Sequence, residues 1–331
     1  MRSLVCNYYL TLKCNDTCEF CPLWQKKEFQ EMEDADADVV KKNLRQLRKM
    51  GVLVMNFTGG EPLLYERLPE VLRMSKKLGF FNILTTNGIL YIEKAQQITH
   101  LVDHLVFSLD SPVQSEHNRI RGTDCYKSVM DGIKTAKQLG KTPIINFTIT
   151  RNTIAVLPDM VDLSQKLGVL LWINPVYNWS GLEGFTASSV DYLARYFSRR
   201  NVALNLASLQ VIKDGGNNVR KPVCRAGSSA LTIFPDNTLV SPCIHLQRSA
   251  VKLDEGIASA LKRREVKLAV SLHGRDDKCK GCMDWSYLGP SFFCGINKSM
   301  FLALYSMWNL FWKELKLKPR HFVGGTKGVK I

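Results

Sequence analysis

Six short strand-forming runs alternate with amphipathic stretches over residues 1–176, and this alternation limits the possible folds more than any other feature. The runs are Leu4–Leu12, Val52–Phe57, Phe80–Thr85, His104–Leu109, Pro143–Thr150 and Val169–Pro175. Between them, Ala37–Met50, Leu68–Leu78, Tyr126–Leu139 and Leu157–Leu167 carry a helical apolar period. Strands separated by helices run parallel, and their crossovers are right-handed. Most of the runs are apolar throughout, as strands covered on both faces must be. The class is therefore α/β. Periodicity alone does not choose between an open sheet and a curved partial barrel.

Beyond this region the pattern changes. Residues 177–222 form a connecting region without a strong motif. Residues 223–297 hold a second group of cysteines and read as a small, metal-organised module. Residues 298–331 join an aromatic-rich helix, about Lys298–Leu317, to a basic tail. A chain of 331 residues has room for one large domain and a smaller one. No charged-then-apolar segment opens it, and the apolar stretch Met300–Trp312 falls short of the ~20 residues a spanning helix needs. A cytoplasmic protein is expected, in which ten cysteines point to metal or redox chemistry rather than disulfides. The net charge of +15 suits a phosphate-rich cofactor, nucleic acid or an anionic membrane surface without choosing among them.

Cys14, Cys18 and Cys21 stand directly after the first strand-like run. Three thiolates on a tight loop can each bind one iron of a cubane cluster, leaving the fourth iron open to a small molecule. A zinc site is the alternative, but no further Cys or His lies nearby to close it. This Cys-x3-Cys-x2-Cys loop resembles the signature of the radical S-adenosylmethionine (radical SAM) superfamily. Phe20 matches the family's aromatic position, which packs near the adenine. Thr58-Gly59-Gly60-Glu61-Pro62 resembles the family's GGEP motif, whose backbone and carboxylate grip the amino group of the methionine part. Glycines there allow close main-chain approach, and a carboxylate pairs with an ammonium. Asn87, in Thr85–Gly88, and Ser108 and Asp110, in Ser-Leu-Asp, end the third and fourth strands, where the family contacts ribose and methionine. Arg121, followed by Gly122, resembles the arginine that meets the methionine carboxylate.

The resemblance covers roughly residues 5–176 and implies a partial (β/α)6 TIM-like barrel, with ligands at the C-terminal ends of its strands. It implies a SAM-binding 4Fe–4S cluster and S-adenosylmethionine as cofactors, and flavodoxin or ferredoxin as electron donor. The implied reaction is reductive cleavage of S-adenosylmethionine to a 5′-deoxyadenosyl radical, which then takes hydrogen from substrate.

Cys224, Cys243 and the pair Cys279 and Cys282 suffice to close one further metal site. They resemble the twitch module, a shortened SPASM domain, and so imply one auxiliary 4Fe–4S cluster. Residues Ile233–Asp236 and Val240–Cys243 match the hairpin before the second ligand. Asn237 stands where the family usually has Gly, and Asn also tolerates a left-handed turn. Cys294 is either a substitute ligand or idle, and a structural zinc knot is the alternative for the group. Cys6 and Cys125 read as ordinary buried cysteines. His245 reads as a surface or structural residue rather than a contact of the auxiliary site.

Nothing in the sequence names the substrate. Tyr177, Trp179 and Glu183 are candidates to line a pocket, although a solvated loop is the simpler reading. Net oxidation or C–H modification of a small molecule or lipid is expected. Maturation of a ribosomal peptide is the second possibility, with little room before Cys14 for a peptide-recognition domain. A nucleic-acid partner is not expected, because basic residues are interleaved with acids and no RNA-binding motif is present. A zinc-stabilised scaffold is the non-enzymatic rival. The aromatic helix is expected to dock on its own protein or a second subunit. The alternative, peripheral contact with a membrane interface, would favour a lipid substrate.

Overall fold

The computed structural model describes residues 3–176 and 187–317. The six expected strands are present as β1 (Val5–Thr11), β2 (Val54–Gly59), β3 (Phe81–Thr86), β4 (His104–Ser108), β5 (Ile144–Ile149) and β6 (Leu170–Pro175). Four more follow: β7 (Val202–Ala203), β8 (Ala230–Ile233), β9 (Thr238–Ser241) and β10 (Ser249–Lys252). All ten belong to one unclosed sheet, in the order β10-β9-β8-β1-β2-β3-β4-β5-β6-β7. From β8 to β7 every neighbouring pair is parallel, and β9 and β10 add antiparallel strands at one end.

The sheet thus extends beyond the six-strand expectation at both ends. β7 lies beside β6, and β8 pairs with β1 in register Val5↔Ala230 to Tyr8↔Ile233. The region of the second cysteine group is therefore joined to the sheet through hydrogen bonds that satisfy the outer edge of β1. Asn237 adopts φ 61° in the turn between β8 and β9, the left-handed conformation expected of it. The Asn43 side chain donates to its Oδ1 at 2.8 Å.

Helices cover the parallel strands. Ala37–Lys49 is capped by the Asp36 side chain and buries Val40, Leu44 and Leu47. Leu68–Lys77, Tyr126–Gln138 and Leu157–Leu167 stand close to their expected bounds, and Tyr91–Ile98 and Gln114–Arg121 complete the crossovers. Gln114–Arg121 ends at Gly122, where φ is 66° and a Cβ would lie 2.1 Å from Thr17 Oγ1. That glycine both stops the helix and lets the cysteine loop approach it. The helix Lys298–Leu317 packs on Leu206–Lys213 and on β6. Its buried Lys313 Nζ donates to the carbonyls of Phe197 and Val202. Burial pushes that ammonium down to about 8, and the Phe197 ring, 5.1 Å from Nζ, stands beside the two carbonyls.

Candidate active site

The loop carrying Cys14, Cys18 and Cys21 leaves the C-terminal end of β1 and is pinned from several sides. Gln30 accepts from Cys14 N at 3.3 Å and donates to Leu12 O at 3.1 Å. Trp24 Nε1 donates to Cys18 O at 3.1 Å. Thr17 N and Glu19 N donate to the carbonyls of Arg121 and Ile120, each at 3.0 Å. The loop is thereby strapped to the end of the Gln114–Arg121 helix.

Buried charge surrounds the thiols. Arg121 Nη2 lies 2.6 Å from Asp110 Oδ2, and its Nη1 donates to Cys18 Sγ at 3.5 Å. Its guanidinium stands 5.5 Å from the Phe20 ring centroid. Asp110 also accepts from Thr148 N at 2.8 Å, which ties β4 to β5. Arg121, the residue expected to meet a ligand carboxylate, is thus engaged by Asp110. Its buried Nε and the buried Oδ1 of Asp16 remain without protein partners. Burial pushes Cys14 up to about 12 and Cys18 up to about 11, and Asp16 up to about 6. At Cys18 the Arg121 charge opposes the burial effect.

The loop after β2 meets this one backbone to backbone. Gly60 N donates to Thr11 O at 3.1 Å, and Glu61 N donates to Lys13 O at 2.8 Å. A Cβ on Gly59 would lie 1.9 Å from Thr11 O, and one on Gly60 2.0 Å from Lys13 O. These glycines are required by the neighbouring chain, where the sequence suggested approach to a ligand. Glu61 is 2% exposed and accepts from Leu63 N (2.9 Å), Thr86 Oγ1 (2.8 Å) and Asn87 N (2.8 Å). It ties the ends of β2 and β3 together, and burial still pushes it up to about 7. Asn87 Nδ2 donates onward to Asn15 Oδ1 in the cysteine loop at 2.7 Å. Ser108 ends β4, buried opposite Asn146 of β5.

The second group comes from three places in the chain, Cys224, Cys243 and the Cys279–Cys282 turn. Burial raises the thiols of Cys224, Cys243, Cys279 and Cys282, and the other three raise Cys224 further. Backbone N–H groups of Ala226, His245, Leu246, Met283 and Asp284 act on these sulfurs in the opposite sense. Cys294 is exposed, and the Arg225 charge opposes the upward push of desolvation on its thiol. His245 Nε2 meets Asp284 Oδ2 at 2.6 Å, and Asp284 Oδ1 accepts from Ser286 N at 2.8 Å.

One cysteine of each group, Cys21 and Cys282, lines a cavity of 560 Å³ against the sheet. Phe20 and Cys21 line it on one side, and His245, Cys282 and Asp284 on another. Tyr9 of β1 lies between, influenced by Cys21, Cys243 and Asp284 together. The walls are amide-rich: Asn56 Nδ2 donates to Asn7 Oδ1 at 2.9 Å, and Asn174 donates to Asn146. Asn7 is 2% exposed, lines the cavity and has no partner for its Nδ2. The sequence reading missed this wall, although its signal is present. Asn-Phe-Thr interrupts the apolar run of both β2 and β5, and period-two alternation turns both polar residues to one face. Tyr177, Trp179 and Glu183 lie outside the described residues.

The sequence matches the radical SAM superfamily over residues 8–163. Residues 8–163 are a radical SAM domain. Proteins of this superfamily use a 4Fe–4S cluster and S-adenosylmethionine. The residues fit such cofactors: three thiols share a loop with a buried cation, and orphaned polar atoms of Asp16 and Arg121 lie beside them. Among the described residues no three His, Cys, Asp or Glu side chains converge on a single ion position. A cubane asks something different, one thiolate for each iron.

Among curated relatives, the probable GTP 3′,8-cyclase of Saccharolobus solfataricus is 32% identical over 179 residues, covering 50% of this chain and 56% of the relative. That of Methanococcus maripaludis is 33% identical over 167 residues, with the same coverage. The chain thus spans little more than half the length of these relatives. Among solved structures, anSMEcpe with bound AdoMet matches with a TM-score of 0.64 at 16% identity, covering 95% of this chain and 98% of that one. Streptococcus suis SuiB bound to S-adenosylmethionine matches at 0.63 and 18% identity, covering 78% and 65%. At these identities the likeness is one of fold.

Proposed function

We propose that this protein is a radical SAM enzyme acting on a C–H bond of a polar substrate group held between its two cysteine groups. One observation carries the reading: Cys21 and Cys282 line the same amide-walled cavity. Cys14, Cys18 and Cys21 would hold a 4Fe–4S cluster that, reduced by one electron from an external donor, would with bound S-adenosylmethionine supply hydrogen-atom abstraction from substrate. The chain's own residues bind, orient and exclude. Phe20 offers a face for the adenine, and the ends of β2 to β4, with Asn87, Ser108 and Asp110, shape the rest of the cofactor site. Glu61 acts chiefly by holding the β2 and β3 loops in register, since three protein donors already engage its carboxylate.

Cys224, Cys243, Cys279 and Cys282 are proposed to hold one auxiliary 4Fe–4S cluster, which would supply an electron acceptor on the Cys282 side of the cavity. The amides of Asn7, Asn56, Asn146 and Asn174 would hold the substrate's polar groups in place of water. Net oxidation or other C–H modification of a small molecule, or of a lipid's polar head, fits this cavity. The name of the relatives adds a specific compound to try, GTP. Lys26, Lys278 and Lys280 line the cavity and suit its phosphates. The match covers 50% of this chain and 56% of the relatives, so this second reading rests on the lysines.

The test is 5′-deoxyadenosine formation from S-adenosylmethionine by reconstituted, reduced protein. The expected result is product from the native chain and none from Cys18→Ala. Equal rates for the two would overturn the assignment.

A further inference from the structure

The Lys298–Leu317 helix has two unlike faces. Ala303, Ser306 and Lys313 are buried, and Leu310 and Leu317 pack against Val106, Ile144 and Leu170 of the sheet. The opposite face is bare: Phe301, Tyr305, Met307, Trp308, Phe311 and Trp312 are each at least 45% exposed. Within it Trp308, Phe311 and Trp312 form one ring cluster, with Trp308 and Trp312 centroids 5.5 Å apart and Phe311 and Trp312 5.9 Å apart. A contiguous apolar patch of this kind marks an interaction surface.

The charge around the patch selects its partner. Glu314, the helix's one carboxylate, is turned to His104 at 2.9 Å. Arg195, Arg199 and Arg200 are exposed on the adjoining segment, where Phe197 meets Tyr305 and Arg200 Nη2 donates to Lys316 O at 2.7 Å. In sequence, the 14 residues that follow the helix contain Lys318, Arg320, Lys327 and Lys330 and no Asp or Glu. Exposed Trp, Tyr and Phe rimmed by basic residues suit the interface of an anionic bilayer. A symmetric pairing of this face with a second copy would instead bring two basic rims together. No helix among the described residues is long and apolar enough to cross a membrane, so the helix would lie on the surface.

The same helix closes a second chamber of 250 Å³, lined by Met307 and Leu310, that shares Trp172, Asn174, Pro175 and Trp285 with the main cavity. Met307 is thus both part of the bare face and part of a chamber adjoining the reaction cavity. We propose that the bare face of this helix lies in the interface of an anionic membrane, with its rings at headgroup depth and the basic rim on the lipid phosphates.

The test is flotation of the full chain with vesicles of phosphatidylcholine and phosphatidylglycerol in equal parts, and with phosphatidylcholine alone. The account expects flotation with the mixed vesicles, weakened by salt, and a blue shift of tryptophan emission. Replacing Trp308→Ser, Phe311→Ser and Trp312→Ser together should lower partitioning by about tenfold or more. Arg195→Glu with Arg199→Glu should weaken it while the rings remain. These surface variants should keep the native far-ultraviolet circular dichroism. Absence of flotation by the well-folded native chain would overturn the proposal. So would a concentration-dependent dimer, without lipid binding, that the triple variant abolishes.

Discussion

The first cysteine group hangs on a single loop, Cys14 to Cys21, whereas the second is gathered from positions spread between Cys224 and Cys282. A short loop cannot fix its own shape, so the first group borrows its rigidity. Gln30, Trp24 and the end of the Gln114–Arg121 helix hold it, and Arg121 supplies a positive charge beside Cys18. The second group has the hairpin of β8 and β9 beside it, and backbone N–H groups favour the thiolates of its cysteines, with the Arg248 charge adding to them at Cys279. Three thiols beside orphaned polar atoms suit a centre that takes a ligand, and four thiols suit a closed one. The comparison teaches that ligand count and surroundings together, rather than cysteine content, set the proposed roles apart.

The largest effect should come from separating the groups by mutation. Cys18→Ala is expected to abolish S-adenosylmethionine cleavage while the second group keeps about four irons. Cys282→Ala should lose a similar amount of iron and leave the first group able to cleave. Iron analysis with a cleavage assay checks both, and identical phenotypes would dissolve the distinction. Next in size is Gly60→Ala, whose Cβ would meet Lys13 O at 2.0 Å and push the β2 loop off the cysteine loop. Iron at the first group should fall while that at the second is kept. Loss at both groups would show that the loops do not act locally.

A smaller, graded effect is expected from Arg121→Met. It leaves the fully buried Asp110 without its cation and should cost about 3 kcal/mol or more in urea unfolding. A loss below ~1 kcal/mol would mean that Asp110 finds another partner or a proton. The smallest effect concerns pH. Cys14, Cys18, Cys243 and Cys282 have folded values near 11 to 12 without metal, so they hold protons at neutral pH. Iron binding must release those protons, and uptake should therefore strengthen as pH rises. With four thiols against three, the rise should be steeper for Cys18→Ala, which keeps the second group, than for Cys282→Ala. Equal slopes would contradict the four-against-three assignment.

The parallel sheet was legible because each strand is an apolar run set between amphipathic helices. The helix Lys298–Leu317 was legible to the residue, and so was the left-handed turn at Asn237. The cysteine spacing and the strand-end motifs pointed to the radical SAM superfamily. Other features depend on tertiary contacts that a linear pattern does not carry. That β8 would pair with β1 rests on a parallel register between segments more than two hundred residues apart. The partners of Glu61 and Arg121 within the protein, Thr86 and Asn87, and Asp110, come from other strand ends and could not be read from their own motifs. The asparagine wall was overlooked because each Asn reads as an isolated flaw in an apolar strand until four strands are placed side by side.

The central claim is an open, ligand-accepting cluster on Cys14, Cys18 and Cys21. Its most direct test is electron paramagnetic resonance of reduced, reconstituted Cys282→Ala, where the second group is disabled, with and without S-adenosylmethionine. The account predicts a 4Fe–4S signal that changes shape when S-adenosylmethionine is added. A signal indifferent to it, or a colourless protein that takes up no iron, would contradict the account.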